Sequence, residues 1–182
     1  MPEEDEEGRP VEVVIEDARW EAAGLDRLAR AAATAALRDA EMDPAACEIA
    51  VLGCDDARIA ALNGAFRGRE APTNVLAWPS AARDPARPPE GGALGDVALS
   101  FDTCAAEARA QGKRLEDHAT HLVVHAVLHL LGHDHEGDDA AALMEGRERS
   151  ILRAMGLPDP YAPAAPSGGA RPEAPHRRAV AP

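Results

Sequence analysis

The sequence predicts a single α/β (α+β) domain in which a small mixed four-stranded sheet packs with about five helices. Short segments with strand character alternate with longer segments rich in Ala and Leu at helical spacing. Aromatic residues make up only 3% of the chain, so the core must be built from Ala, Leu, Val and Ile. That mixture favours helices over an all-β sandwich.

The first half of the chain alternates between strand-like and helix-like segments. Three segments have the β-branched and apolar character of strands, and they lie at 11–17, 47–53 and 73–78. Residues 24–40 are rich in Ala and Leu and predict the first helix. A second helix begins after Asp55 or Asp56, which are good N-cap residues, and runs to about Phe66. Pro79 closes the third strand and begins a loop rich in Pro and Gly.

The second half contains one more strand and three helices. Residues 94–101 predict the fourth strand, and Asp102 is the expected N-cap of a helix that ends near residue 111. A long helix follows over 115–131. The last helix covers about 139–155 and is ended by a Gly and a Pro. We expect the functional site on the long helix and the turn after it.

Composition divides the chain into three parts. Residues 1–10 are expected to be a disordered acidic leader, and 11–156 a single domain of ordinary size. Residues 157–182 carry seven of the fifteen prolines, together with Ala, Ser and Gly, and are expected to be a disordered tail.

Charge and hydropathy exclude several classes of protein. No apolar run is long enough to cross a bilayer, and the acidic N-terminus lacks the apolar stretch of a secretory signal, so we expect a cytoplasmic protein. The net charge of −13 argues against a broad basic surface for duplex DNA, although a local basic site for another nucleic acid remains compatible with it. The odd number of cysteines, without a C-x-x-C pair, predicts reduced structural thiols at Cys47, Cys54 and Cys104.

Four histidines of the long helix are the most informative residues. At 100° per residue they fall on one stripe about 80° wide; they are His118, His121, His125 and His129. The remainder of the helix is apolar nearly all the way round, so the helix must be buried. Because a buried imidazole without partners is unfavourable, several on one face indicate a metal ion that supplies the missing partner.

The metal ligands are predicted from their spacing. His125 and His129 stand at i and i+4, Gly132 allows the chain to turn back, and His135 follows as the third ligand. His133 is an alternative third ligand, whereas His118 and His121 are expected in packing or pocket positions. One zinc ion is expected, with an open fourth position typical of catalytic sites, although three imidazoles also suit copper or nickel.

The spacing is that of the metzincin zinc site, with one important difference. Metzincins have a Glu general base after the first His, and this chain has Ala126 there. A zinc peptidase is therefore supported by ligand spacing but opposed by Ala126. Asp134 is a candidate partner of a ligand or a solvated turn residue, and Glu136 is expected at the surface.

A second group of polar residues lies in the segment FRGREAPTNVLAWP, residues 66–79. Arg67 and Arg69 are candidates to bind an RNA phosphate, because a guanidinium forms bidentate hydrogen bonds and keeps its charge. On composition alone, the competing interpretation is stronger. In it, the arginines are surface residues that pair with Glu70 or Asp56.

Three segments together resemble the bacterial endoribonuclease YbeY family. They are HLVVHAVLHLLGHDH, FRGREAPTNVLAWP and LGDVALS, and the resemblance extends from about Val11 to Leu157. It implies a zinc-dependent, single-strand-specific endoribonuclease that acts in 3′-end maturation of 16S rRNA and in ribosome quality control. The implied partners are single-stranded RNA, the 16S rRNA precursor and the small ribosomal subunit.

The resemblance also implies roles for individual residues. The family's three metal histidines match His125, His129 and His135, and its functional arginine matches Arg67. Three positions depart from the family pattern: Ala126 replaces Gly, His133 replaces Tyr, and Asn74 replaces Asp. None of these changes removes a metal ligand, but Asn74 puts in doubt any role for a carboxylate at that position.

The resulting hypothesis is a metal-dependent endoribonuclease in which Arg67 offsets charge on the scissile phosphate and the metal activates water. Besides the zinc peptidase, one non-enzymatic alternative stays open. In that alternative the chain is a ribosome-assembly factor whose zinc only stabilises the fold.

Overall fold

The computed structural model describes residues 10–163, and these form four strands and six α-helices. The strands are β1 (Val11–Ile15), β2 (Cys47–Cys54), β3 (Val75–Pro79) and β4 (Gly92–Ser100). The helices are α1 (Arg19–Ala22), α2 (Leu25–Asp39), α3 (Asp56–Arg67), α4 (Phe101–Ala110), α5 (Leu115–Leu130) and α6 (Asp138–Ala154), with a 3₁₀ turn at Pro44–Ala46. The predicted fold class, with its small four-stranded sheet, is confirmed.

The sheet is mixed, with strand order β1-β2-β4-β3. β1, β2 and β4 run parallel, and β3 pairs antiparallel with β4. β3 is therefore an edge strand. Its alternating side chains point to opposite faces of the sheet, so Val75 and Ala77 join the main core while Leu76 and Trp78 belong to a smaller cluster.

Helices cover both faces of the sheet. α2 and α5 pack against each other and against the strands on the face of the main core. On the opposite face, Ile59 of α3 packs with Leu76 and Ala98. α5 is buried along most of its length, as predicted from its apolar sequence. The main hydrophobic core therefore fixes the position of α5 and of the histidines that it carries.

Two features of the fold differ from the sequence prediction. Asp102 does not cap α4, which follows Ser100 and has no side-chain cap; the Asp102 carboxylate instead accepts hydrogen bonds from Asp56 N and Arg19 Nη1. The short helix α1 was not predicted. It inserts the fully buried Trp20, whose indole N–H donates to Cys54 O at 3.1 Å.

Residues 1–9 of the predicted leader and most of the predicted tail lie outside the described residues. The described start of the tail contacts the domain, since Lys113 Nζ donates to Pro160 O at 2.6 Å. Across residues 10–163, no helix combines the length and the apolar character that spanning a membrane requires. The three cysteines are buried free thiols, as predicted.

Gly132 makes the turn that follows α5. Its φ is +99°, a conformation that side chains disfavour, and a Cβ there would lie 2.3 Å from Arg83 O. Arg83 holds this region because its Nη1 donates to Leu130 O at 2.9 Å and to Leu94 O at 2.8 Å. The turn thus requires glycine, as the sequence suggested, and it directs the chain back towards α5.

We predict opposite effects for two Gly-to-Ala substitutions. Gly132→Ala should lower the free energy of unfolding by about 1–3 kcal/mol, because φ is positive and the new Cβ meets a backbone carbonyl. Gly146→Ala, inside α6 with open space around its Cβ, should raise it by about 0.5–1 kcal/mol. Urea unfolding of both variants in one buffer measures the difference. Equal effects of the two substitutions would contradict the strained-turn explanation.

Candidate metal centre

Three histidines from α5 and the following turn come together in the structure. His125 and His129 lie one helical turn apart, and His135 approaches them from beyond Gly132. Each offers one ring nitrogen, and these nitrogens all lie within 4.8 Å of one another. The three residues could therefore hold a metal ion, in agreement with the choice made from the sequence spacing.

Hydrogen bonds fix which ring nitrogen of His125 and His129 faces the cavity. His129 Nδ1 donates to the backbone oxygen of His133 at 2.8 Å, and His125 Nδ1 lies 2.5 Å from Glu148 Oε1. A carbonyl or a carboxylate can only accept, so both Nδ1 atoms carry the hydrogen. The two Nε2 atoms then face each other at 3.0 Å.

This arrangement suits a shared cation. Two lone pairs at 3.0 Å repel unless a proton or a cation lies between them. Two nitrogens of a tetrahedral zinc site stand about 3.3 Å apart, given Zn–N bonds of about 2.0–2.1 Å. Burial, followed by the neighbouring His125, lowers the pKa of His129 to about 4, so this ring is neutral near pH 7 and can bind a metal.

Glu148 of α6 supports this group of histidines and was missed by the sequence analysis. Its fully buried carboxylate accepts from His125 Nδ1, from His121 Nε2 at 3.1 Å, and from the Tyr161 hydroxyl. Burial raises the pKa of Glu148, but these hydrogen bonds together hold it below the usual value, so the group is ionised. The available signal was its position on the buried stripe of α6, four residues after Met144.

Asp134 was considered from sequence as a partner of a ligand, and His133 as an alternative third ligand; the structure gives both residues other roles. Asp134 Oδ1 accepts from Glu136 N at 3.1 Å, as a turn residue does. His133 contributes its backbone oxygen rather than its ring. That ring is buried, and burial, followed by Arg147, lowers its pKa.

The remaining two histidines of the stripe pair with carboxylates. His121 reaches Glu148, and His118 Nε2 lies 2.7 Å from Glu107 Oε2. The same Glu107 oxygen accepts from Asn74 Nδ2 at 3.0 Å. These two histidines are therefore packing residues with their own partners, as expected, and Asn74 serves as a hydrogen-bond donor to Glu107.

The three histidines open into a cavity of about 360 Å³ that also contains Arg67. The cavity is lined by Arg67, Asn74, Val75, Ala77, Pro79, His125, Ala126, His129 and His135. None of these lining residues is acidic. Arg67 is exposed, and its Nη2 donates to Ala77 O at 3.4 Å.

The two arginines considered from sequence differ in position. Arg67 lines the cavity, and Arg69 does not. Neither arginine takes part in the ion pairs found within residues 10–163. Asp56, a suggested partner, instead accepts hydrogen bonds from Ser100 and Thr103. Arg67 is thus available to a ligand in the cavity.

Comparison with known proteins gives closely related sequences and one related solved fold. The chain is 54% identical to the endoribonuclease YbeY of Paracoccus denitrificans over 157 residues, which cover 83% of this chain and 89% of that protein. It is 50% identical to the endoribonuclease YbeY of Dinoroseobacter shibae, covering 83% and 90%. The solution structure of TM1509 from Thermotoga maritima has the same fold, with a TM-score of 0.52 and 18% identity over 84% of this chain and 99% of that one.

The family model described as endoribonuclease YbeY matches residues 12–156, which include the three histidines, Arg67 and Glu148. The resemblance noted in the sequence is confirmed. The chain belongs to the endoribonuclease YbeY family and is an RNA-cleaving hydrolase.

Proposed function

We propose that this endoribonuclease holds one zinc ion through His125, His129 and His135 and cleaves single-stranded RNA. Its proposed substrate is the 3′ region of the 16S rRNA precursor on the small ribosomal subunit, in the cytoplasm, and its proposed roles are rRNA maturation and ribosome quality control. The RNA chemistry rests on family membership, and the ribosomal roles are those that the family resemblance implies.

The opposed Nε2 atoms of His125 and His129 carry the metal part of the proposal. Both rings have their Nδ1 hydrogen bonded to an acceptor, so their Nε2 atoms are the ones that converge, at 3.0 Å. His135 adds a third nitrogen from the exposed side of the group. Three imidazoles beside an open cavity favour a catalytic zinc site, which has three protein ligands, over a closed structural site with four.

Arg67 supplies the second chemical element of the site. A zinc ion held there would act as a Lewis acid, stabilising charge on a phosphoryl oxygen and activating water. Arg67, in the same cavity, would bind the scissile phosphate and offset the charge that develops on it. The cavity lining contains no carboxylate, so the general base that a zinc peptidase uses is missing from it.

Glu148 positions one of the proposed ligand histidines. A carboxylate that accepts from the far nitrogen of a ligand histidine fixes the ring's orientation and raises its basicity as a ligand. Glu148 does this for His125, and its other oxygen is occupied by His121 and Tyr161. The ligand ring is thereby oriented before a metal arrives.

Metal removal tests the proposed activity directly. Protein purified without added metal should contain about one zinc per chain by elemental analysis. It should cut a single-stranded oligoribonucleotide with the 16S 3′ precursor sequence and leave the same sequence uncut in a duplex. Chelation should abolish cleavage, and zinc should restore it. Full cleavage by metal-free protein would overturn the proposal.

The choice of the third ligand has a matched control in the same turn. His135→Ala should lose the zinc, because it removes a converging ring nitrogen. His133→Ala should keep the zinc, because His133 contributes only its backbone oxygen to His129. The zinc content of the two purified variants decides between the two residues, and loss in His133→Ala alone would assign the third ligand to His133.

Arg67 substitutions should separate catalysis from metal binding. Arg67→Ala should lower kcat/KM on single-stranded RNA by about 100-fold, because one preorganised donor to the developing charge is removed. Arg67→Lys should recover only part of this loss, since an ammonium cannot bind a phosphate bidentately. Zinc content should not change.

Arg69→Ala is the control for general charge, because Arg69 lies outside the cavity lining. Its kcat/KM should stay close to that of the unmodified protein. If the two alanine variants lose activity equally, the arginines act as a diffuse basic surface and Arg67 has no special role.

Glu148→Gln should weaken zinc affinity by about 10- to 100-fold, because the amide cannot accept from three donors as the carboxylate does. Competition with a zinc chelator measures the affinity. Glu107→Gln provides the control, since it alters the same kind of carboxylate–histidine pair at His118, which is not a proposed ligand. If both variants weaken zinc binding equally, the effect is general destabilisation and not ligand positioning.

A further inference from the structure

Phe66 is the most exposed of the four large apolar side chains that lie at the surface of residues 10–163. Its residue is 66% exposed, against 46% for Val14, 57% for Leu143 and 38% for Tyr161. A single exposed apolar residue is ordinary in a folded protein. What distinguishes Phe66 is its surroundings.

Phe66 is held by a second aromatic ring. Its centroid lies 5.4 Å from that of Trp78, with an interplanar angle of 60°. Trp78 is itself half-buried in the smaller hydrophobic cluster below the edge strand β3. The pair therefore leaves one aromatic ring open to solvent and supports it with another that the fold holds in place.

The aromatic pair adjoins the cavity through chain connectivity on both sides. Phe66 directly precedes Arg67 at the end of α3, and Trp78 directly follows Ala77 in β3. Arg67 and Ala77 both line the cavity of the three histidines and are joined by a hydrogen bond. Ala77 and Trp78 point to opposite faces of the edge strand, so the cavity and the aromatic pair lie on either side of the open edge of the sheet.

We propose that Phe66, supported by Trp78, is a stacking site for an unpaired nucleobase of the RNA substrate. The inference rests on the proposed function, in which Arg67 binds the scissile phosphate. Phe66 directly precedes Arg67 at the end of α3, so we expect an RNA strand whose phosphate contacts Arg67 to continue around the sheet edge and bring a nearby base to the exposed Phe66 ring. Aromatic side chains bind unpaired bases by stacking, largely regardless of sequence.

This site accounts for a preference for single strands. A base within a duplex has both faces covered by its neighbours, so it cannot stack on Phe66 without leaving the helix. The base must be unpaired at one particular distance from the cleaved bond. The cavity supplies the charge that attracts the phosphate, and the aromatic pair selects against paired RNA.

The first test compares substitutions at Phe66 in the zinc-loaded protein. Phe66→Ala and Phe66→Leu should each raise KM for a single-stranded oligoribonucleotide by about tenfold, while kcat changes little. Phe66→Tyr should retain the KM of the unmodified protein, because it keeps an aromatic face. If Phe66→Leu also retains it, the site is a general apolar contact and base stacking is wrong.

Val14→Ala is the matched control for loss of an exposed apolar side chain. Val14 lies in β1, at the sheet edge opposite to β3, and is 46% exposed. Its substitution should leave KM and kcat unchanged. Thermal unfolding of each variant verifies that the compared proteins are folded, and Phe66 variants should unfold at nearly the same temperature because the ring is mostly exposed.

The second test locates the base. A series of oligoribonucleotides, each with one abasic position, should contain one position at which the unmodified protein loses about tenfold in kcat/KM. In Phe66→Ala, kcat/KM should not fall further at that position, because deleting the base and deleting the ring remove the same interaction. Additive losses would overturn the stacking site. Failure of the proposed function is distinguishable, because Arg67→Ala would then leave cleavage intact, whichever result Phe66→Ala gives.

Discussion

The burial of α5 is the constraint on which the site depends. This helix is apolar on nearly every side and packs in the centre of the domain, so each polar group on it needs a partner inside the protein. At least one ring nitrogen of each histidine on the stripe has such a partner. Glu107 is hydrogen bonded to His118, Glu148 to His121 and His125, and the His133 carbonyl to His129. These assignments leave the Nε2 atoms of the last two rings facing each other, where a metal ion could be held between them.

The edge of the sheet supplies the other residues that line the cavity beside this helix. The antiparallel strand β3 passes over α5 and carries Val75 and Ala77 to the cavity, while the end of α3 carries Arg67 to the same place. The chain has a net charge of −13, yet no acidic residue lines this cavity. An arginine beside three histidines that could hold a cation makes a local positive site on an acidic protein. Phosphate groups are attracted to such a site without the broad basic surface that duplex-binding proteins use.

Local patterns in the sequence predicted those parts of the site that local geometry determines. The i,i+4 spacing of His125 and His129 fixes their shared face, and Gly132 fixes the turn that returns His135 to it. Asp102 was predicted wrongly as a cap, because a carboxylate at a helix start can also accept hydrogen bonds from distant groups, here Asp56 and Arg19. The sequence alone could not show whether the Asp102 carboxylate caps the helix or accepts hydrogen bonds from distant groups.

Glu148 is a second residue whose role depends on contacts that are distant in sequence. It meets His125 across 23 positions of sequence, so only the packing of α6 on α5 reveals the pair. The available signal was a single carboxylate on the buried stripe of α6. An ionised group is rarely buried without partners, so its position indicated that hydrogen-bond donors lie nearby. Its third partner, Tyr161, lies beyond the last residue that the family model matches, at 156, and in the segment whose composition suggested a disordered tail. Tyr161 donates to the same carboxylate that orients His125, so the structural support of the histidine group extends past the end of the last helix. Composition described that segment by its prolines, whereas specific hydrogen bonds, from the Tyr161 hydroxyl to Glu148 and from Lys113 to Pro160, join it to the domain.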